Sequence, residues 1–174
     1  GGKDYWVMKL NTTGSIIWQF GYGGSADDYL VKTLRRSGNF FLAGYSASNI
    51  SGVKTENSNG WMDLWIMEIT ESGVINWQNT IGGDGTDNLI DCMLTGTSGY
   101  VLLCNSTSDI SGNKSQLSFN NTYYSDILSN YVIHDSYDYW VVHVNSIGEL
   151  IREKTVGGIS YEYPKRLLFN NDNR

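Results

Sequence analysis

Residues 63–83 read Asp63-Leu64-Trp65-Ile66-Met67-Glu68-Ile69, then Thr70-Glu71-Ser72-Gly73, then a second apolar run, Ile75-Asn76-Trp77-Gln78, closed by Gly82-Gly83. The stretch decides the fold because it occurs three times. Asp4-Tyr5-Trp6-Val7-Met8-Lys9-Leu10 leads to Gly23-Gly24, and Asp138-Tyr139-Trp140-Val141-Val142-His143-Val144 leads to Gly157-Gly158, with the glycine pair starting nineteen residues after the aspartate each time. A glycine also stands ten residues after each aspartate, at Gly14, Gly73 and Gly148. Self-similarity of this kind marks a repeat architecture, in which one supersecondary unit is stacked on the next.

Within each copy the first run alternates. Trp65, Met67 and Ile69 share one face, as do Trp6, Met8 and Leu10, and Trp140, Val142 and Val144. The other face carries Leu64, Ile66 and Glu68, or Tyr5, Val7 and Lys9, or Tyr139, Val141 and His143, apolar for two positions before it turns polar. A sheet wet on one side alternates more cleanly, so this strand is expected in a sheet covered on both faces. The glycine late in the following turn fits a hairpin whose last loop residue is left-handed, often with a bulge. Returning strands follow at Ile16-Ile17-Trp18-Gln19, Ile75-Asn76-Trp77-Gln78 and Leu150-Ile151-Arg152-Glu153, where Arg152 breaks the tryptophan pattern.

A second hairpin comes after each glycine pair: Tyr29 to Leu34 with Phe40 to Gly44, Leu89 to Leu94 with Tyr100 to Cys104, and a third beginning at Tyr163. Two hairpins per period make a four-stranded antiparallel unit, the content of one propeller blade. The fold class expected is therefore all-β, with antiparallel four-stranded blades of a β-propeller and about two and a half to three of them in this chain. Residues 1–26 form the second hairpin of a preceding blade, 27–83 a full blade, 84–158 another, and 159–174 the start of a further one. The spacing from Asp4 to Asp63 is 59 residues and from Asp63 to Asp138 is 75, and the surplus falls in 113–137, a Ser-, Asn- and Tyr-rich stretch read as an inserted surface loop.

Composition supports a globular all-β chain. Of 174 residues 40% are hydrophobic and 13% aromatic, enough for a substantial core, while six Trp, twelve Tyr and twenty Gly with a single Pro favour short strands and tight turns over helices. The net charge of −6 and scattered Lys and Arg disfavour nucleic acid as a partner. No apolar run is long enough for membrane insertion. Cys92 and Cys104 flank one turn and could face each other across a hairpin, but the preceding copy holds Thr33 and Gly44 at these places, which fits interchangeable small strand residues.

The strings DYWVMKLNTTGSIIWQFGYGGSADDYL and DLWIMEITESGVINWQNTIGGDGTDNL resemble the tandem repeats of secreted bacterial surface proteins described as β-propeller-type repeats. The resemblance spans nearly the whole chain. It implies a propeller and an extracellular or cell-surface location, and it implies no activity. A closed propeller needs at least four blades. The remaining blades are then expected from the same longer chain, of which this is a fragment, or from an oligomer; ends that fall inside a unit favour the fragment.

Four carboxylates near the glycine pairs, Asp27, Asp28, Asp84 and Asp87, form oxygen-rich loops that can hold calcium. The same residue types also end strands by bonding backbone amides, and that structural reading outweighs the metal one. Asp4, Asp63 and Asp138 are expected to bond the backbone likewise. Trp6, Trp65 and Trp140, on the wholly apolar face, read as packing between blades. Trp61 lies outside the repeat frame, and with Tyr123, Tyr124 and Tyr131 of the insert it is the candidate contact surface for a ligand or partner. No catalytic residue is assigned: His143 replaces Lys9 and Glu68 in a strand and reads as ordinary surface, His134 sits in the insert near Asp135 and Asp138 where the surface reading outweighs a metal or acid-base one, and no nucleophile, metalloprotease or phosphate-loop motif occurs. The function expected is a non-enzymatic repeat scaffold of an exported bacterial protein, mediating adhesion or protein interaction through its loops. The alternative is a carbohydrate-binding propeller, alone or attached to a hydrolase outside this segment.

Overall fold

The computed structural model describes residues 1–96, 99–119, 121–125, 130–134 and 136–168, with the backbone alone at 121–125 and 130–134. Among them every regular element is a strand. These are β1 (Tyr5–Leu10), β2 (Ile16–Tyr22), β3 (Asp28–Arg36), β4 (Asn39–Ser46), β5 (Asp63–Ile69), β6 (Ile75–Ile81), β7 (Asp87–Leu94), β8 (Gly99–Ser106), β9 (Asn121–Ser125), β10 (Asn130–His134), β11 (Asp138–Asn145) and β12 (Leu150–Val156). They pair antiparallel into a hairpin β1-β2, a four-stranded sheet β3-β4-β5-β6, a four-stranded sheet β7-β8-β11-β12, and a separate hairpin β9-β10. No helix among the described residues is long and apolar enough to cross a membrane.

The three copies of the motif form the same hairpin. Gly14, Gly73 and Gly148 adopt φ of +85°, +84° and +80°, and each N–H donates to the carbonyl three residues earlier. The register shifts just before each turn, between Lys9 and Leu10, Glu68 and Ile69, and His143 and Val144. A left-handed residue and a one-residue slip together let a short loop follow the strand twist. The insert differs from the loop expected. Within 113–137 it builds the hairpin β9-β10, in register from Asn121 opposite His134 to Ser125 opposite Asn130, because Thr122-Tyr123-Tyr124 and Tyr131-Val132-Ile133 are strong strand formers. Residues 159–168 run without a strand.

Two cores lie between the layers. Tyr5 and Tyr22 of the first hairpin pack on Leu42, Trp65, Met67 and Ile69. Phe41, Ala43, Leu64, Ile66 and Ile81 of the next sheet pack on Cys92, Tyr100, Leu102, Trp140, Val142 and Val144 of the one after, with the Phe41 and Tyr100 rings stacked at 3.7 Å. Covering on both faces holds for β5, whose side chains are buried on either side. It fails for β1: Trp6 is 64% exposed, so of the three tryptophans read as packing only Trp65 and Trp140, each fully buried, fill that role. Nothing in the described chain lies over the Trp6 face. Cys92 and Cys104 are buried free thiols opposite Leu102 and Leu89, out of register for a bridge.

Candidate functional site

The glycine-pair loops are closed by a repeated set of bonds. Asp28 Oδ2 accepts from the Gly24 N–H at 2.8 Å and the Ser48 hydroxyl at 3.1 Å, and Asp87 Oδ2 accepts from the Gly83 N–H and the Ser108 hydroxyl, both at 2.8 Å. Asp27 accepts from the Lys3 N–H and the Tyr29 hydroxyl, and the Lys3 bond first of all holds its carboxyl below the usual range. Asp84 accepts from Ser111, which likewise lowers it, and from the Asp109 N–H. Asp63 and Asp138 accept from the N–H groups of Asn59 and Phe119. All four carboxylates considered for calcium are thus engaged in strand-end bonds. Among the described residues no group of three or more His, Cys, Asp and Glu side chains is placed to hold a metal.

Two lysines that the sequence reading passed over sit beneath these loops. Lys54 and Lys114 are each 2% exposed. Lys54 Nζ donates to the Glu56 carbonyl and Thr80 Oγ1; Lys114 Nζ donates to Ser106 Oγ, Ser118 Oγ and the Ser108 carbonyl. Burial lowers both lysines, and nearby aspartates oppose it, Asp63 and Asp28 for the first, Asp87 and Asp138 for the second. Asp28, Ser46 and Asp63 lie in one row across β3, β4 and β5, as do Asp87, Ser106 and Asp138 across β7, β8 and β11. Desolvation pushes Asp63 up to about 6 and raises Asp87 and Asp138. This polar layer recurs in both sheets, which marks it as scaffold.

What does not recur is a cleft of about 600 Å3 at the strand ends, lined by Trp61, Asp84, Gly85, Thr86, Thr107, Asp109, Tyr137 and Tyr161. Gly60 makes its position accessible: a Cβ there would stand 2.5 Å from the Gly85 carbonyl oxygen, so only glycine lets the chain close on that loop. The Trp61 N–H then donates to the same carbonyl at 2.9 Å, and the indole is left 81% exposed. Thr86 and Thr107 are tied by two bonds, the Thr86 N–H to Thr107 Oγ1 at 2.9 Å and the Thr107 N–H to the Thr86 carbonyl at 3.0 Å. Across the cleft's aromatic part Tyr137 and Tyr161 lie 6.1 Å apart, and Tyr163 stacks on Tyr161 at 6.2 Å and 8°. The Glu162 N–H donates to the Tyr137 carbonyl at 2.8 Å and anchors this group.

The structure therefore brings Trp61 and Asp84 to one site, and places Asp27, Asp28 and Asp87 elsewhere. Tyr123 and Tyr124 lie on β9 and Tyr131 on β10, opposite Tyr124; their side chains fall outside the described residues, as does Asp135. Tyr137, Tyr161, Thr107 and Asp109 were not singled out by the sequence reading. A signal existed: Tyr137 occupies the place of Lys3 and Met62, and Tyr161 that of Asp27 and Thr86. Aromatics appear there only in the last copy. No family model matches this chain, and no match to it was found among curated proteins.

Proposed function

We propose that this chain is a non-enzymatic repeat module of an exported or cell-surface protein. Its four-stranded sheets serve as propeller-type blades, and its strand-end loops bind a partner. The observation that carries the reading is the cleft at Trp61. Rigid sheets on either side hold an exposed indole, a tyrosine group, two carboxylates and two threonine hydroxyls where the repeat pattern supplies no structural reason for aromatics. Scaffold residues recur from copy to copy, whereas Trp61, Tyr137 and Tyr161 do not. Departure from the repeat at one place, with side chains left open to solvent, is what contact through loops requires. The blade assignment and surface location rest on the resemblance of the repeated strings together with the four-stranded antiparallel sheets.

The ring and carboxylate content of the cleft favours a glycan as one such partner, since sugars present apolar faces to aromatic rings and hydroxyls to acids. Arrays of surface proteins and of protein-free glycans test both readings at once. Binding that falls about tenfold or more in Trp61→Ala and in Tyr161→Ala, with unchanged circular dichroism, supports the cleft as the contact site. Binding that survives both substitutions removes it, and binding to proteins but to no glycan removes the sugar reading alone.

A further inference from the structure

The cleft at Trp61 departs from the repeat in two chemistries at once. One copy earlier the places of Asp84, Asp109 and Tyr137 are held by Ser25, Asn49 and Met62, which are neither charged nor aromatic. Two carboxylates thus enter the same loops that bring in the rings. They stand side by side, since the Asp109 N–H donates to Asp84 Oδ1 at 3.2 Å and the Ser111 hydroxyl donates to the same oxygen at 2.7 Å. These bonds fix Asp84 in place while the residue stays exposed. Asp109 Oδ1 in turn accepts from the Ser118 N–H at 3.2 Å.

No lysine, arginine or histidine is among the residues lining the cleft. Lys114 lies beneath the loops, buried and bonded to three oxygens. A lining of this kind is complementary to a positive ligand. A metal ion matches it poorly, because calcium takes about six to eight oxygens, and the described residues place no group of three or more His, Cys, Asp and Glu side chains for one. Rings beside carboxylates suit an organic cation, whose charge is drawn both to the acid and to the face of a ring.

The chain makes this match once by itself. At the first strand end Lys3 Nζ lies 4.7 Å over the Tyr29 ring and donates to its hydroxyl at 3.2 Å, and that hydroxyl donates to Asp27 at 3.0 Å. Cation, ring and carboxylate form one cluster there. In the last copy tyrosines replace both charged members, Tyr137 at the place of Lys3 and Tyr161 at that of Asp27. Neighbouring loops supply the carboxylates, and the lining supplies no ammonium.

We propose that the cleft binds a primary ammonium group carried on a sugar, with the charge at Asp84 and Asp109 and the apolar face of the sugar ring against Trp61. This rests on the reading of the cleft as the contact site and names the group that it selects. A sugar is the carrier because a cleft of about 600 Å3 has room for one or two rings, and Thr86 and Thr107 line it beside the acids.

Calorimetric titration at slightly acid pH, where the amine is charged, compares the disaccharide of glucosamine with cellobiose, which has a hydroxyl in place of each amine. The amine is expected to bind about tenfold or more tightly at low salt, with a preference that shrinks as salt is added. Asp84→Asn keeps an oxygen to accept the Ser111 bond and is expected to bind the two sugars nearly alike, while Trp61→Ala weakens both. Circular dichroism of each variant separates a lost site from a lost fold. Equal binding of the two sugars by the parent, or a preference that outlasts both Asp84→Asn and Asp109→Asn, overturns the ammonium site and leaves the cleft standing as the contact site. Amine binding undiminished in Trp61→Ala overturns both, and binding of neither sugar overturns the proposal. A lysine blocked at both backbone ends is the third probe: binding as tight as that of the glucosamine disaccharide would mean that the sugar is not the carrier, and the proposal falls.

Discussion

β1 and β5 carry the same pattern of aspartate, bulky residue, tryptophan and alternating apolar side chains, yet Trp65 is wholly buried and Trp6 lies in solvent. The local structure is the same in both: the same hairpin, the same positive-φ glycine and the same register slip. What differs is the neighbour. Trp65 has the first hairpin over it, while Trp6 has no preceding layer among the described residues. A tryptophan in this motif is therefore conditional core. It contributes to stability in proportion to what is stacked on it, and burying about 200 Å2 of indole at about 25 cal/mol per Å2 makes that difference ~5 kcal/mol at most.

Equilibrium unfolding in urea puts this contrast at risk most directly. Trp65→Ala is expected to cost about 3–5 kcal/mol, and Trp6→Ala to stay within about 0.5 kcal/mol when measured on the monomer. Equal losses would mean that the hairpin, and not the stacking, sets the energy. A second contrast separates buried from exposed lysines. Lys114→Met removes three hydrogen bonds beneath the loop and takes from Asp87 and Asp138 the positive charge that offsets them, at an expected cost of about 2–4 kcal/mol. Lys9→Met breaks the 2.6 Å pair with Glu71 on the surface and should cost under about 1 kcal/mol.

The buried aspartates sharpen the comparison through pH. Asp63 is raised in the folded state from 3.8 to about 6, so between those values the folded chain holds more protons than the unfolded one. The stability from this group is present below about pH 4 and is lost as pH rises through 6, by up to about 3 kcal/mol. Denaturation midpoints measured from pH 4.5 to 7 should fall less steeply in Asp63→Asn than in the parent, and identical slopes would remove Asp63 as the cause. The smallest expected effect concerns the thiols. Burial pushes Cys92 up to about 12 and also raises Cys104, so a thiol reagent at pH 8 should label neither until denaturant is added. Prompt labelling of either in the native chain would show the second joint to be looser than its packing.

The four-stranded units were legible in the sequence because period-two alternation and glycine-ended turns leave spaced, repeated marks, from Asp63 to Gly83 most clearly. The hairpin β9-β10 was not, since it appears in one copy and has no second instance to align. Lys54 and Lys114 were overlooked for a physical reason: lysine is ordinarily a surface residue. Their shared setting, Ser48-Asn49-Ile50-Ser51-Gly52-Val53-Lys54 against Ser108-Asp109-Ile110-Ser111-Gly112-Asn113-Lys114, was nonetheless in view. Trp61 stood out by falling off the repeat frame. Tyr137 and Tyr161 did not, because their rings are brought 6.1 Å apart by the fold, with the Glu162 N–H bonded to the Tyr137 carbonyl, which no linear pattern announces.

Among the described residues the first hairpin touches the rest of the molecule through one face only, which governs how the layers open. In a row of layers that bond mainly to their neighbours, the end layer detaches at the lowest free energy, and the middle layer only when the row as a whole gives way. Amide hydrogens of β1 and β2 should exchange with solvent deuterium soonest, and those of β4 and β5 last. An added layer over Trp6 would move that fraying boundary outward by one unit and slow the exchange of everything inside it.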